Sequence, residues 1–254
     1  MSTLAVIPAR LGATRLPRKP LRHLGGAPLV VRVLERVQSL GLADRVVVAT
    51  ETEEVADVVR QAGGEALITS AEHPSGTDRV AEVARHPAFR QHDIIVNVQG
   101  DEPFMRGDAM AGAIAMVRDH GFALGTAAGR RPAEIMNDPN CVKVVRDESG
   151  RAMYFSRAPI PFLRDAADAA TRDALVFQHM GIYAARRDAL MQWVALPPHP
   201  LELVEKLEQL RALAAGIPMG VAIVEAPSWG EVNTEDDLVR ANAHWDALHT
   251  HSKS

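Results

Sequence analysis

The sequence predicts a Rossmann-like α/β fold in which a mostly parallel sheet forms the middle of three layers. Short apolar runs alternate with amphipathic segments through the first half of the chain, which is the βαβ pattern of such a sheet. Strands are expected at residues 4–7, 45–49, 66–69 and 93–98, and helices at 29–40 and 52–61. Leu29, Val33 and Val37 share one face of the first of these helices, so that face can cover the sheet.

The second half of the chain is less regular and predicts a small lobe inserted into the main part of the fold. Strands are expected at residues 141–145, 152–155 and 219–224, one helix at 200–214, and a mobile loop at 164–173. A last helix is expected to begin near Thr234, a suitable N-cap with Asp236 and Asp237 in the first turn. We expect one domain over residues 1–254, with its main part at about 1–130 and 215–248 and the lobe at about 131–214.

The composition excludes several classes of protein. A net charge of -4 argues against a general nucleic-acid binder, which needs a basic surface to displace counterions from phosphates. Cys141 is the single cysteine, which excludes an internal disulfide and a four-thiolate zinc site. No apolar stretch is long enough to span a bilayer, and Pro8 and Arg10 interrupt the N-terminal apolar run before it reaches the length of a signal peptide. We therefore expect a cytoplasmic protein without membrane or nucleic-acid partners.

A basic loop follows the first predicted strand. Arg10, Arg15, Arg18 and Lys19 lie within ten residues of one another, and such a cluster suits a phosphate group, which arginine can hold with two parallel hydrogen bonds. The alternative is a solvated basic loop, which is common on protein surfaces. The loop contains neither GxGxxG nor GxxxxGK[ST], so a dinucleotide-dependent oxidoreductase and a Walker A protein are both disfavoured.

Two further motifs lie where ligands bind in open α/β sheets, beyond the carboxyl ends of the strands. QGDEP at residues 99–103 places Gln99 and Asp101 after a buried strand, and Asp101 could bind magnesium together with phosphate oxygens. HPSGTDR at residues 73–79 places Ser75 where a helix is expected to begin, so its backbone amides could bind an oxygen. The alternatives are an ordinary acidic turn and an ordinary helix cap.

Five segments together resemble one family, the bacterial CMP-Kdo synthetases, which are sugar-activating nucleotidyltransferases. In chain order they are VIPARLGATRLPRKPL, VNVQGDEP, YFSRAPIP, HMGIY and LELVEKLEQLR. The resemblance runs from about residue 4 to the last predicted helix. It implies a nucleotidyltransferase fold that transfers CMP from CTP to the acidic sugar Kdo, with release of pyrophosphate and with Mg²⁺ as cofactor. It also implies a homodimer and a role in lipopolysaccharide biosynthesis.

The resemblance implies roles for individual residues. The nucleotide would be bound by Arg10, Arg15, Lys19, Ser75, Gly76, Thr77 and Arg79. The sugar would be bound by Gln99, Arg157, His179, Tyr183, Glu208 and Gln209, most of them in the inserted lobe. Arg10, Lys19 and Asp101 would be catalytic, and Asp101 and Asn233 would hold the metal. No residue is assigned as general base, for which His179 is a weak candidate.

The chain departs from the family pattern at two positions. Arg18 replaces a usual glycine, and Asn233 replaces the aspartate of a VDTPEDL segment. Asparagine keeps an oxygen ligand but removes a negative charge, so Glu231, two residues earlier, is an alternative metal ligand. Two other functions therefore stay open: CMP transfer to a related acidic sugar such as 8-amino-Kdo or a sialic-type acid, and CTP binding with impaired catalysis.

Overall fold

The computed structural model describes residues 1–12, 15–225 and 229–250, and it divides the chain into two compact units. The N-terminal unit comprises Ser2–Gln91, Asn97–Met105 and Trp229–Ser254, and the central unit comprises Met1, His92–Val96 and Arg106–Ser228. Ala13 and Thr14 of the basic loop, and the end of the chain beyond residue 250, lie outside the described residues. Within the described ranges, none of the helices is both long and apolar enough to cross a membrane.

The N-terminal unit is built on parallel strands. Its strands and helices are β1 (Thr3–Pro8), β2 (His23–Leu24), β3 (Ala27–Pro28), α1 (Leu29–Ser39), β4 (Arg45–Thr50), α2 (Glu53–Gln61), β5 (Glu65–Ile68), α3 (Gly76–Arg85) and, at the end of the chain, α9 (Glu235–Thr250). β1, β4 and β5 pair in that order, with Val6 opposite Val47 and Val48 opposite Ala66. Helices α1, α2 and α3 pack on these strands. The carboxyl ends of the strands therefore meet at one edge, as the sequence predicts.

The central unit contains a mixed sheet. Its elements are α4 (Gly107–Arg118), β7 (Leu124–Arg130), β8 (Lys143–Arg146), β9 (Ala152–Ser156), α5 (Ala169–Asp173), β10 (Phe177–Arg186), α6 (Arg187–Ala195), α7 (Pro200–Glu205), α8 (Gln209–Ala214) and β11 (Met219–Val224). β6 (Ile94–Asn97) begins in this unit, and its last residue belongs to the N-terminal unit. β7 pairs in parallel with β11 and antiparallel with β10, which continues antiparallel to β8 and β9. α4 covers β7, β10 and β11.

Two expectations for the second half of the chain are wrong. The segment 164–173, expected to be a loop, forms a short 3₁₀ turn followed by α5. The single helix expected at 200–214 is two helices, because Lys206 adopts a left-handed conformation with φ 55° and ends α7. The apolar residues keep helical spacing across this break, which is why the periodicity suggested one helix.

β7 is the clearest element that the sequence did not predict. Its residues, LGTAAGR, include two alanines and two glycines, which have low strand propensity. Gly125 explains part of this composition, because a Cβ there would lie 2.2 Å from the carbonyl oxygen of Ala113 in α4. Pairing on both edges and close contact with α4 therefore decide the conformation of β7.

Candidate functional site

A polar cavity of about 340 Å³ opens in the N-terminal unit. It is lined by Pro8, Ala9, Arg10, Arg15, Leu16, Lys19, Pro20, His73, Pro74, Ser75, Gly76, Arg79, Gln99, Gly100, Asp101 and Asn233. The basic loop, the SGT segment, the QGDEP turn and Asn233 thus meet around one cavity, although they are far apart in the sequence. Arg10 and Arg15 are exposed here and form no ion pair with the described part of the chain.

Lys19 links two parts of this cavity. Its Nζ donates hydrogen bonds to Oδ2 of Asp101 at 2.6 Å and to Oδ1 of Asn233 at 2.9 Å. The Lys19 and Asp101 side chains are 18% and 15% exposed, so the pair is largely shielded from water. Gly100 sets the approach of the QGDEP turn, because a Cβ at this position would lie 2.5 Å from the carbonyl oxygen of Pro8. A glycine is needed for Asp101 to come this close to the first strand.

The other oxygen of Asp101 makes this position suitable for a hard cation. Asp101 Oδ1 is buried and has no hydrogen-bond partner among the residues that the structure describes, an unusual and costly state for a carboxylate oxygen. Among the described residues no group of three His, Cys, Asp or Glu side chains is arranged to hold a metal. Magnesium commonly binds one or two carboxylates together with substrate phosphates and water, so Asp101 with the Asn233 amide oxygen fits this ion.

The Asn233 amide is held at both ends. Its Nδ2 donates to Oε2 of Glu231 at 2.6 Å while its Oδ1 accepts from Lys19 at 2.9 Å. These two contacts fix the direction of the amide, with its oxygen facing the Lys19 ammonium group that also binds Asp101. Glu231 therefore contacts the amide nitrogen of Asn233, not the amide oxygen.

A buried carboxyl group lies next to Asp101 in the chain. Glu102 is 4% exposed, and this burial, with smaller contributions from the charges of Glu231 and Asp101, raises the pKa of Glu102 well above its ordinary range. The neutral form is thereby favoured. This side chain is not among those that line the cavity.

The SGT segment caps a helix and also lines the cavity. Ser75 Oγ accepts a hydrogen bond from the backbone N–H of Asp78 at 3.2 Å, so Ser75 is the N-cap of α3. Gly76 lies beside it at the cavity wall. Thr77 is buried, and its Oγ1 accepts a hydrogen bond of 3.4 Å from Nδ2 of Asn97. The capping interpretation and the ligand-binding interpretation are thus compatible for Ser75.

Arg79 is held in place by a carboxylate that sequence reasoning missed. It is 4% exposed, donates to Oγ1 of Thr69, and forms a 3.1 Å ion pair with Oε2 of Glu51. The other oxygen of Glu51 accepts a hydrogen bond of 2.9 Å from the backbone N–H of Leu11 in the basic loop. Glu51 therefore connects the basic loop to α3. Its position directly after β4 was a usable signal, since polar residues at strand ends border the site in this type of sheet.

The sugar-binding residues predicted from the second half of the chain all lie in the central unit. Arg157 is oriented by backbone carbonyls: its Nε donates to the carbonyl oxygen of Glu205 at 2.7 Å and its Nη1 to that of Pro139 at 2.7 Å. The Glu205 carboxylate accepts from the backbone N–H of Arg157 at 2.9 Å. The buried Lys143 donates to the Arg157 carbonyl oxygen at 2.6 Å. Neither Glu205 nor Lys143 was predicted to support this site.

His179 lies on β10 among aromatic rings. Phe155 packs edge-on against it with a centroid separation of 4.9 Å, and Tyr183 lies at 5.4 Å. Its Nε2 is 2.9 Å from Oγ1 of Thr126 on β7. Desolvation lowers the pKa of His179 to about 3, so the ring is neutral at physiological pH. A ring with so low a pKa is a poor general base, which argues against that role.

Glu208 and Gln209 lie where α8 begins. Glu208 is the N-cap residue of this helix, and Gln209 is its first residue. Gln209 is 2% exposed, and its Nε2 forms no hydrogen bond within the described part of the chain. A buried amide donor without a partner is a natural place for a ligand oxygen. Gln99, the remaining sugar-binding prediction, lies in the cavity of the N-terminal unit.

Comparison with known proteins identifies close relatives over the whole chain. The chain is 58% identical over 254 residues to 3-deoxy-manno-octulosonate cytidylyltransferase from Gemmatimonas aurantiaca, covering 100% of this chain and 98% of that protein. It is 45% identical over 251 residues to the protein of the same name from Trichlorobacter lovleyi, covering 95% of this chain and 97% of that protein. The resemblance to CMP-Kdo synthetases seen in the sequence motifs is therefore confirmed.

Solved structures give the same result for the fold. A CMP:2-keto-3-deoxy-manno-octonic acid synthetase complexed with CTP matches with a TM-score of 0.89 and 37% identity, covering 98% of this chain and 100% of that one. The 4-diphosphocytidyl-2C-methyl-D-erythritol synthase from Anaerococcus prevotii matches with a TM-score of 0.64 at 15% identity over 96% and 98% of the two chains, a likeness of fold alone. These matches confirm the predicted nucleotidyltransferase fold.

A family model supports the same assignment over most of the chain. A family model described as cytidylyltransferase matches residues 4–223. This range includes the basic loop, the SGT segment, the QGDEP turn and the predicted sugar-binding residues. It leaves out Asn233, which is described above from the structure alone. The chain belongs to the cytidylyltransferase family.

Proposed function

We propose that this protein transfers CMP from CTP to Kdo and releases pyrophosphate, supplying activated Kdo for lipopolysaccharide synthesis. The observation that carries the proposal is the cavity in which Arg10 and Arg15, which form no ion pair with the described residues, lie beside the Lys19, Asp101 and Asn233 contacts. Relatives 45–58% identical over nearly their full length are named 3-deoxy-manno-octulosonate cytidylyltransferase. The site thus combines cations for a triphosphate with oxygen ligands for a hard metal ion.

The reaction is a single displacement at phosphorus. The anomeric hydroxyl oxygen of Kdo forms a bond to the α-phosphorus of CTP, the bond from that phosphorus to the bridging oxygen breaks, and pyrophosphate leaves. The hydroxyl proton passes to solvent. Positioning and charge stabilisation supply the catalysis in such transfers, without a covalent enzyme intermediate.

The cations of the basic loop bind the phosphates. Arg10 and Arg15 are exposed at the cavity and are available for bidentate contacts to phosphate oxygens. Lys19 supplies a compact charge at the same wall and, without nucleotide, neutralises Asp101. Arg79 is buried and already paired with Glu51, so we propose that it holds the cavity wall in place and does not contact the nucleotide directly. Ser75 and Gly76, at the start of α3, line the cavity and would contact the nucleotide.

Asp101 and Asn233 would hold magnesium, with Oδ1 of Asp101 as the free carboxylate oxygen. A bound magnesium ion neutralises phosphate charge and polarises the phosphoryl group. Arg157 would face the sugar carboxylate, while His179, Tyr183, Glu208 and Gln209 would bind its hydroxyls. We also propose a cytoplasmic homodimer, which rests on the family resemblance and is testable by sedimentation.

Pyrophosphate release with CTP and a panel of acidic sugars tests the proposal. The panel contains Kdo, 8-amino-Kdo and a sialic acid, each with and without magnesium. We expect the highest kcat/KM with Kdo and no turnover without the metal. Preference for another sugar would reassign the acceptor. Tight CTP binding with no product from any sugar would instead favour a nucleotide-binding protein. This outcome is included in the test because Asn233 provides an amide in place of a carboxylate at the proposed metal site.

A further inference from the structure

The hydroxyl group of Thr126 forms a hydrogen bond with a backbone carbonyl oxygen. Its Oγ1 lies 2.7 Å from the carbonyl oxygen of Ile182 and 3.4 Å from that of Met180. A carbonyl oxygen has no proton, and two oxygens at 2.7 Å repel each other unless a proton lies between them. The Thr126 hydroxyl therefore donates to Ile182, and its oxygen is left as an acceptor.

An irregularity in β10 makes this contact possible. The pairing of β10 with β7 shifts between Met180, opposite Ala127, and Tyr183, opposite Thr126. Gly181 and Ile182 thus have no opposite residue in the register, as in a β-bulge. The Ile182 carbonyl oxygen accepts a hydrogen bond from the Thr126 side chain. Thr126 itself is fully buried, so its hydroxyl has no competing water.

The second neighbour of Thr126 is His179 Nε2 at 2.9 Å. Since the threonine proton is used by Ile182, the ring nitrogen must be the donor in this contact. The neutral ring carries one proton, so that proton is on Nε2 and Nδ1 is an acceptor. No described residue forms a hydrogen bond with Nδ1.

We propose that Thr126 is a positioning residue that fixes His179 as the Nε2–H tautomer, so that His179 Nδ1 accepts a hydrogen bond from a hydroxyl group of the sugar. The first half of this inference is independent of the substrate. The second half rests on the proposed function, and it specifies the direction of one contact: the ligand is the donor. A sugar derivative that carries an ether or a deoxy centre at that hydroxyl would leave Nδ1 without a partner.

The tautomer can be observed directly by NMR with ¹⁵N-labelled histidine. Long-range ¹H–¹⁵N correlation separates a protonated ring nitrogen from an unprotonated one, and the His179 signals are identified by their loss in His179→Gln. We expect a protonated Nε2 and an unprotonated Nδ1 in the wild-type protein. A protonated Nδ1, or a doubly protonated ring, at neutral pH would overturn the proposal whatever reaction the protein catalyses.

The ligand contact is tested with two variants of Thr126. Thr126→Ser keeps the hydroxyl, and Thr126→Val removes it with little change in shape. We expect Thr126→Val to raise the KM for Kdo by roughly tenfold, which is the lower end of the effect of removing a partner that orients a ligating histidine. The KM for CTP should stay unchanged, and Thr126→Ser should behave like the wild type. Equal Kdo KM values in the valine and serine variants would refute the positioning role.

A spectrum with bound sugar separates failure of this inference from failure of the proposed function. With Kdo and a non-hydrolysable CTP analogue, the Nδ1 resonance of His179 should shift as it accepts a hydrogen bond. Bound Kdo with an unchanged Nδ1 signal would contradict the inference alone. No Kdo binding and no turnover by the wild type would contradict the proposed function, while the ligand-free tautomer would still be read from the first spectrum.

Discussion

Lys19 and Asp101 form the pair on which the proposed chemistry depends most. We predict that Lys19→Ala and Asp101→Ala each lower kcat by roughly 10²–10³-fold, because each removes a preorganised charge at the reacting phosphates. Steady-state pyrophosphate release measures this effect, and circular dichroism checks that the fold survives. Asp119→Ala, at an exposed aspartate, is the matched control. Near-normal turnover in either site variant would defeat the mechanism.

Arg18 adopts a backbone conformation that favours glycine. Its φ is 58°, in the left-handed region where side chains other than glycine cost roughly 1–2 kcal/mol. Its guanidinium pairs with Glu54, but both side chains are more than half exposed, so this pair contributes little.

We predict that Arg18→Gly raises the free energy of unfolding by up to about 1 kcal/mol, since relief of strain exceeds the added entropy of the unfolded chain. Urea denaturation measures the change. Arg18→Ala is the control, because it loses the same ion pair and keeps the strain. A glycine variant less stable than the alanine variant would exclude strain at this residue.

Asn233 affects the charge of the proposed metal site. We predict that Asn233→Asp binds magnesium severalfold more tightly in the absence of nucleotide, because a second carboxylate is added beside Asp101. The new carboxylate would meet Glu231, which now accepts from the Asn233 amide at 2.6 Å. Asn233→Asp with Glu231→Gln should therefore gain more affinity than Asn233→Asp alone. Calorimetric titration with magnesium tests both, and unchanged affinity in the pair of variants would argue against a ligand role for position 233.

At the scale of elements, an ion pair supports the two short helices that replace the expected single one. Arg211 of α8 binds Glu202 of α7 through two contacts, and the side chains are 11% and 12% exposed. Glu202 also completes a capping box with His199. The Arg211–Glu202 ion pair thus connects the two helices that the break at Lys206 separates.

We predict that Glu202→Ala lowers the free energy of unfolding by roughly 3 kcal/mol, because it removes the carboxylate that pairs with the largely shielded Arg211 guanidinium. Thermal and urea unfolding measure the loss. Replacing both residues by leucine should cost less than the single change, as it leaves no uncompensated charge. A double variant as unstable as the sum of two single variants would show that the pair is not coupled.

At the scale of the whole molecule, Glu102 makes stability depend on pH. The pKa of Glu102 is raised in the folded state well above its ordinary value of 4.5. Below about pH 4.5 the group is protonated in both states and has no effect. As the pH rises above that value, the unfolded chain releases the proton and the folded chain retains it, so stability falls by up to about 1.4 kcal/mol per pH unit until the folded pKa is reached.

We predict that Glu102→Gln is more stable than the wild type near pH 7 and that this gain disappears toward about pH 4.5. Urea unfolding at several pH values measures the difference. Glu148→Gln, at an exposed glutamate, is the control and should show no such trend. A constant difference between Glu102→Gln and the wild type at all pH values would rule out a raised pKa in the folded state.

The sequence was sufficient to predict the parallel strands of the first half, the helix N-caps Ser75 and Thr234, and the family of the protein. The strands and the caps are predictable because they depend on local features: apolar periodicity, and side chains that form hydrogen bonds with the nearby backbone. The family is recognisable because its motifs are continuous in the sequence. The same information predicted which residues would bind nucleotide, sugar and metal, and those individual roles stay predictions until the variants are measured.

The tertiary structure alone decided what depends on contacts between distant segments. β7 is a strand because β10 and β11 pair with it, although its small residues have little strand propensity. Glu51 supports Arg79 although the two residues are 28 positions apart in the sequence. Thr126 orients His179 across a separation of 53 positions. No local pattern records such pairs, because the energy that fixes them comes from burial and hydrogen bonding in the folded protein.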